Sequence, residues 1–277
     1  MTFSLTPLHF VLLPILGGAV AALGTMVGLG GGFILVPILI FLFPEASPAA
    51  LTTISLTVVF LNASSATIGN LAARCIDFRT AVLLVAGAVP AAIAGSATAQ
   101  VVSRESFESM FGVLLIFGAL YVLWRRWKVG AQDQSLLHEP NREIRERKGP
   151  IYRFYVDTII ALVVSPVAGF VSSFFGIGGG VIHVPALTFI LKVPFRVASA
   201  TALLVLVFTS ITAISTLFFS GAIHEGWRRA ALLGVGALFG AQLGVYLGRR
   251  VDAKVILPIL SVAMALVGVR QLIAGLS

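Results

Sequence analysis

Charge is what this sequence most lacks. Of its 277 residues only 11% are Asp, Glu, Lys or Arg, whereas 58% are hydrophobic, and the mean hydropathy is +1.03. A soluble domain carries about 25% charged residues because its surface must face water. So thin a supply leaves most of the surface to lipid. No Asp, Glu, Lys or Arg precedes Glu45, and the first basic residue is Arg74. That gap argues against a secretory leader over residues 1–27, despite the cleavage-like Ala19-Val20-Ala21, because a leader needs a positive n-region. Cysteine is nearly absent too: Cys75 stands alone, which excludes an internal disulfide. Enzyme signatures are missing. There is no Walker A phosphate loop, no H-E-x-x-H and no G-x-S-x-G turn, and no Cys, His and carboxylate cluster has metal-ligand spacing. The expectation is therefore no enzyme, no ATP-driven pump, no cofactor and no bound metal.

The charge that is present is clumped. The net charge is +8, and eight of the nineteen basic residues fall between Arg125 and Arg153. Most of the rest lie in short loops between apolar runs or at the ends of those runs, where membrane topology rather than nucleic acid explains them. A spanning helix needs about 20 apolar residues across a roughly 30 Å core. Runs of that order occupy 8–27, 50–71, 79–101, 107–124, 155–175, 197–219, 229–248 and 255–274. Two shorter runs, 33–43 and 181–191, each follow a glycine cluster. Paired short segments in corresponding places point to broken helices of the kind that line transporter sites.

The correspondence is an internal repeat. Gly28-Leu29-Gly30-Gly31-Gly32-Phe33-Ile34-Leu35-Val36-Pro37 recurs 148 residues later as Gly176-Ile177-Gly178-Gly179-Gly180-Val181-Ile182-His183-Val184-Pro185. Further on, Phe78-Arg79-Thr80-Ala81 matches Trp227-Arg228-Arg229-Ala230, and Gly87, Ala91 and Gly95 match Gly236, Gly240 and Gly244. The chain divides into a membrane repeat over 1–124, a polar linker over 125–153 read as solvated, and a second repeat over 154–277. With the linker in the cytoplasm, fifteen basic residues lie inside, and only Arg104, Arg228, Arg229 and Arg270 lie outside. That asymmetry favours an inverted second repeat, with both termini outside. The fold class expected is an all-α polytopic membrane protein of two inverted repeats, with 8–10 membrane segments, surrounded by lipid.

Several groups could carry chemistry. Consecutive glycines can take positive φ and leave backbone N–H groups bare. Followed by a helix start, with its unpaired donors and positive dipole end, they form an anion site that needs no basic side chain. Gly30, Gly31, Gly32, Gly178, Gly179 and Gly180 are therefore substrate-lining candidates, brought together near the bilayer midplane. The plainer alternative is that they permit tight hairpins. Pro37 and Pro185 are expected to distort the short helices. His183 is the one ionisable residue inside either motif, where its counterpart is Leu35. It could carry a proton, face an anion, or simply bond a neighbouring helix.

Each third segment is rich in hydroxyls and amides: Thr52, Thr53, Ser55 and Asn62, answered by Ser199, Thr201, Thr209 and Ser210. They either contact substrate or glue helices, and Thr53 and Thr201 are the favoured contacts because they align at the 148 offset. Gln242 admits the same two readings. Gly236, Gly240, Gly244 and Gly248 recur every four residues, as do Gly87, Ala91 and Gly95, which predicts helix-packing seams. Arg79 and Arg228, beside aromatics, read as interfacial anchors.

At Gly28–Pro37 and Phe175–Pro185, with the small hydroxyl-rich stretches Ala49–Ser55 and Ala198–Thr201, the chain resembles the sulfite exporter TauE/SafE family of membrane permeases. The likeness runs from the first hydrophobic segment through Leu272. It implies a bacterial-type cell membrane and a small anionic substrate such as sulfite, sulfate, thiosulfate or an organosulfonate like sulfoacetate, moved by a secondary transporter. The residues alone reach only a small anion. A passive channel for small anions or solutes has the same lining, and an intramembrane enzyme lacks the catalytic pairs it would need.

Overall fold

The computed structural model describes residues 9–128, 139–147, 149–221, 227–248 and 253–276. The linker centre and chain ends, with Lys148, Arg249 and Arg250 of the charge count, lie outside these. The described chain is nearly all helix, as it must be where no water is present to satisfy backbone groups. Its elements are α1 His9–Val27, α2 Gly32–Leu42, α3 Pro48–Ala73, α4 Phe78–Thr98, α5 Arg104–Lys128, the strands β1 Arg142–Arg145 and β2 Ile151–Phe154, then α6 Thr158–Phe175, α7 Gly180–Pro185, α8 Phe195–Phe219, α9 Trp227–Gly248 and α10 Ala253–Leu276. Every expected segment is a helix. By length and composition α3, α4, α6, α8 and α9 can each cross a membrane, and the chain is an all-α polytopic membrane protein. Large apolar side chains face outward, among them Ile68, Val82, Ile159 and Phe239, each more than 60% exposed.

Local chemistry sets the helix starts. Ser47 accepts from Ala50 N at 3.2 Å ahead of Pro48, Asp77 accepts from Arg79 N at 3.1 Å, and Asp157 accepts from Ile159 N at 2.9 Å. The two short helices differ at their ends. Pro37 sits inside a continuous α2, whereas beyond Pro185 the backbone relaxes into a π-helical turn over Ala186–Ile190, closed by Leu191 N–H on Ala186 O at 3.1 Å. The expected distortion is thus confined to the second copy.

Packing follows the small residues. α1 lies along α9, α4 along α6 and α5 along α10, while α3 and α8 cross in the middle. A Cβ on Gly236 would collide with Pro14 O, one on Gly240 with Gly18 O, and one on Gly248 would come 3.1 Å from Met26 O. Gly95 and Gly169 play the same part between α4 and α6, and Gly112 and Gly268 between α5 and α10. Between apolar helices in lipid, close backbone approach supplies the attraction that the hydrophobic effect does not. Exchanging the first five helices for the second five returns the same packed pairs: α1–α9 becomes α6–α4, and α3–α9 becomes α8–α4.

The molecule has two differently charged ends. At one, the Arg104 guanidinium donates to Ile40, Phe43 and Ala46 carbonyls at 3.1, 3.1 and 2.8 Å, closing the C-terminus of α2. Arg229 lies over the Phe43 ring at 4.1 Å and Arg270 over Phe41 at 4.8 Å. At the other end of α3, about 39 Å away, β1 and β2 form an antiparallel hairpin docked on the helix ends. Arg147 N–H bonds Ala73 O at 2.9 Å, Arg142 pairs with Asp77 at 3.6 Å, and Glu146 pairs with Arg196 at the start of α8 at 3.0 Å. α3 therefore ends where α8 begins, and these two corresponding helices run in opposite directions.

Candidate functional site

The glycine clusters form two tight turns that break the path from α1 to α2 and from α6 to α7. Gly28, Gly30 and Gly31 in the first, and Gly176 and Gly178 in the second, have φ between +71° and +79°, which a side chain rarely tolerates. The turns meet back to back. A Cβ on Gly32 would strike Ile177 O, and one on Gly180 would stand 2.6 Å from Leu29 Cα and 2.7 Å from Gly28 O. Gly30 and Gly178 both face Val59 of α3 and Leu206 of α8, which sit near the midpoints of those helices. All six candidate glycines are buried. The structure thus brings the two clusters together halfway along the central helices.

Gly31 and Gly179 are not equivalent. Gly31 is left-handed at φ 78°, and its Cβ would come 2.9 Å from Val20 O. Gly179 is right-handed at φ −58°, and its Cβ would meet the His183 ring instead, 2.6 Å from Nδ1. The first therefore needs glycine for backbone conformation, the second only for room.

Three carbonyls in or beside the turns are taken by α3. Thr52 Oγ1 donates to Phe174 O at 3.1 Å, Ser55 Oγ to Gly176 O at 2.6 Å, and Asn62 Nδ2 to Gly30 O at 2.8 Å, while Thr25 Oγ1 donates to Asn62 Oδ1 at 2.7 Å. With those three acceptors engaged, the donors beside them include the N–H groups of the helix starts: Gly32 and Phe33 of α2, Gly180 and Val181 of α7. A cluster of Phe107, Phe111, Phe174 and Phe175, with ring centroids 4.6–6.4 Å apart, buttresses the second turn. Sequence reasoning noted Thr52, Ser55 and Asn62 without seeing that they hold the turns. It missed the phenylalanine buttress and the Arg104 cap, because nothing local marks either.

Thr53 Oγ1 donates to Ala49 O at 2.8 Å one turn back in α3. Thr201 Oγ1 accepts from Asp77 N at 3.1 Å, joining α8 to the start of α4. Gln242 bonds Ser65 O at 2.6 Å and Ser65 Oγ at 2.9 Å, binding α9 to α3. His183 is wholly buried. Its Nδ1 lies 3.0 Å from Gly179 O, a pure acceptor, so Nδ1 carries the proton. Its Nε2 lies 3.4 Å from Ser165 Oγ, whose own proton is directed to Leu84 O. A second imidazole proton would find Ser165 Oγ free to accept it. Behind the second turn lies an apolar cavity of about 330 Å³, lined by Leu29, Phe117, Val181, Pro185, Phe189 and Met264, which offers a charged ligand little. Among the described residues no three His, Cys, Asp or Glu side chains gather within reach of one metal ion.

The family model described as "Sulfite exporter TauE/SafE" matches residues 13–271. The chain is 28% identical to the "Probable membrane transporter protein YunE" of Bacillus subtilis, over 97% of this chain and 99% of that one. It is 25% identical to a "Probable membrane transporter protein" of Methanocaldococcus jannaschii, over 95% of each chain. A protein of the same description from Xylella fastidiosa is 27% identical over 86% of this chain and 84% of its own. No solved structure matches the chain.

Proposed function

The chain belongs to the sulfite exporter TauE/SafE family of membrane transporters, and from that premise we propose that it is a secondary transporter. Its substrate would be a compact sulfur oxyanion or sulfonate, held between the two glycine turns, with export the direction that the family description carries. The observation behind this reading is the meeting of both turns midway along α3 and α8, with their carbonyls bonded to Thr52, Ser55 and Asn62. A group with three acceptor oxygens complements backbone donors and helix-start potential without a fixed cation to trap it. The buried, closed turns suit a carrier that opens to one side at a time better than a standing pore.

His183 is the proposed proton carrier, since its second proton has a waiting acceptor. The two halves are read as inverted repeats in the cell membrane, the hairpin cytoplasmic and both termini outside. The antiparallel course of α3 and α8 supports the inversion, and the gathering of Arg142, Arg145, Arg147, Arg153 and Arg196 at the hairpin end supports its cytoplasmic side. Proteoliposomes containing the purified chain test the function. Saturable counterflow of sulfite, thiosulfate or sulfoacetate, competed among themselves and not by acetate, is the expected result. Equal flux of acetate and the sulfur anions would overturn it.

A further inference from the structure

Some buried hydroxyls in these helices donate to the carbonyl one turn back, as Thr53 does to Ala49 O, Ser96 to Ala92 O and Thr209 to Val205 O, and others donate across to another segment, as Thr52 does to Phe174 O. Ser172 and Ser173, at the end of α6 just before the second turn, do neither. They are 1% and 0% exposed, and neither Oγ has a hydrogen-bond partner. A buried hydroxyl left idle is costly, so two in adjacent positions call for something to receive them.

The first half shows what they are not. At the corresponding positions stand Gly24, whose Cβ would collide with the backbone of Gly31, and Thr25, whose hydroxyl is spent on Asn62. Asn62 in turn closes on Gly30 O. That turn is tied shut by its own chain. In the second turn the carbonyls of Phe174 and Gly176 are engaged by Thr52 and Ser55, while donors remain idle. Ser172 Oγ lies 3.6 Å, and His183 Nδ1 2.6 Å, from the point where a Cβ on Gly179 would stand, so hydroxyl and imidazole flank that residue.

We infer that the ligand is gripped asymmetrically, with Ser172 and Ser173 adding hydroxyl donors to the oxygens of a compact oxyanion at the second turn while the first turn offers it backbone donors alone. This rests on the reading that the glycine turns hold the anion, and it adds which half supplies side-chain donors and which side chains select. Hydroxyl donors reward a ligand that offers lone pairs in set directions, so the pair favours oxyanions over a bare halide.

The test is calorimetric titration of the purified full chain in detergent with sulfite, kept under argon, and with chloride. The variants are Ser172→Ala, Ser173→Ala and the double, with Ser96→Ala as a control, whose hydroxyl is bonded within α4. The double variant is expected to bind sulfite roughly tenfold or more weakly. Its chloride response and ligand-free melting temperature should stay unchanged, and Ser96→Ala should match the unaltered chain. Should the double fail to fold, each single alanine is read the same way, with a smaller loss. Unaltered sulfite affinity in the alanine variants overturns the inference and leaves the anion reading standing. A loss shared equally by chloride and by melting temperature also overturns it, since it would mark a structural role. An unaltered chain that binds neither anion takes the anion reading down, and this inference with it.

Discussion

At the residue scale the two central glycines of the turns part company. An alanine at Gly31 would be forced to hold φ near 78° and to approach Val20 O at 2.9 Å. Gly31→Ala is expected to lower the melting temperature and the folded yield, because left-handed backbone costs a side chain about 1–2 kcal/mol before any collision. Gly179→Ala keeps a permitted φ and displaces only the His183 ring, so it should fold and show its defect in anion affinity. Melting curves set beside titrations on the same preparations check both, and equal loss of fold in the two variants would refute the distinction. His183→Gln should flatten the pH dependence of transport while the protein stays monodisperse. An unchanged pH profile would return His183 to bonding Gly179 and Ser165 and nothing more.

At the scale of elements, each break in a helix is held by a partner far away in sequence. Arg104 satisfies three carbonyls at the end of α2 and pairs with Glu108 at 2.6 Å. Arg104→Met leaves those carbonyls and a largely buried carboxylate unpaired, for a loss of about 1–3 kcal/mol in stability. A melting temperature equal to that of the unaltered protein would show that water replaces the guanidinium. The hairpin depends on Glu146, which holds Arg196 at 3.0 Å and accepts from Tyr152 Oη at 3.4 Å. Burial, and then the Glu146 carboxylate, raise the Tyr152 phenol above its ordinary range, so it remains a donor at neutral pH. Glu146→Gln should speed amide exchange of the hairpin strands, measured by mass spectrometry, and leave exchange in α1 and α9 untouched.

These partners explain what was legible in the sequence. Apolar length and the duplicated glycines marked every helix, and the four-residue glycine period marked the packing faces of α9 and α4 but not their partners α1 and α6, because those signals lie along one stretch of chain. The hydrogen bonds from Thr52 and Ser55 to the second turn span 122 and 121 residues, and no local spacing carries them. Gly179 also looked like Gly31, since repetition preserves residue type and not φ.

At the scale of the whole molecule, the glycine turns of the two halves meet at one buried point. Cysteine labelling in a Cys75→Ser background tests the proposed arrangement. A cysteine at residue 277 should react with an impermeant reagent from outside, and one at residue 135 only after the membrane is opened. Reaction of residue 277 from the cytoplasmic side alone would contradict the inverted reading. The central claim, that backbone donors of the two turns bind the anion, is tested most directly by ¹⁵N-glycine NMR of the full chain titrated with sulfite. Saturable shifts of the Gly32 and Gly180 amides, with Gly112 and Gly268 of the α5–α10 contact silent, are predicted. Saturable binding that leaves the Gly28–Gly32 and Gly176–Gly180 amides in place would contradict it.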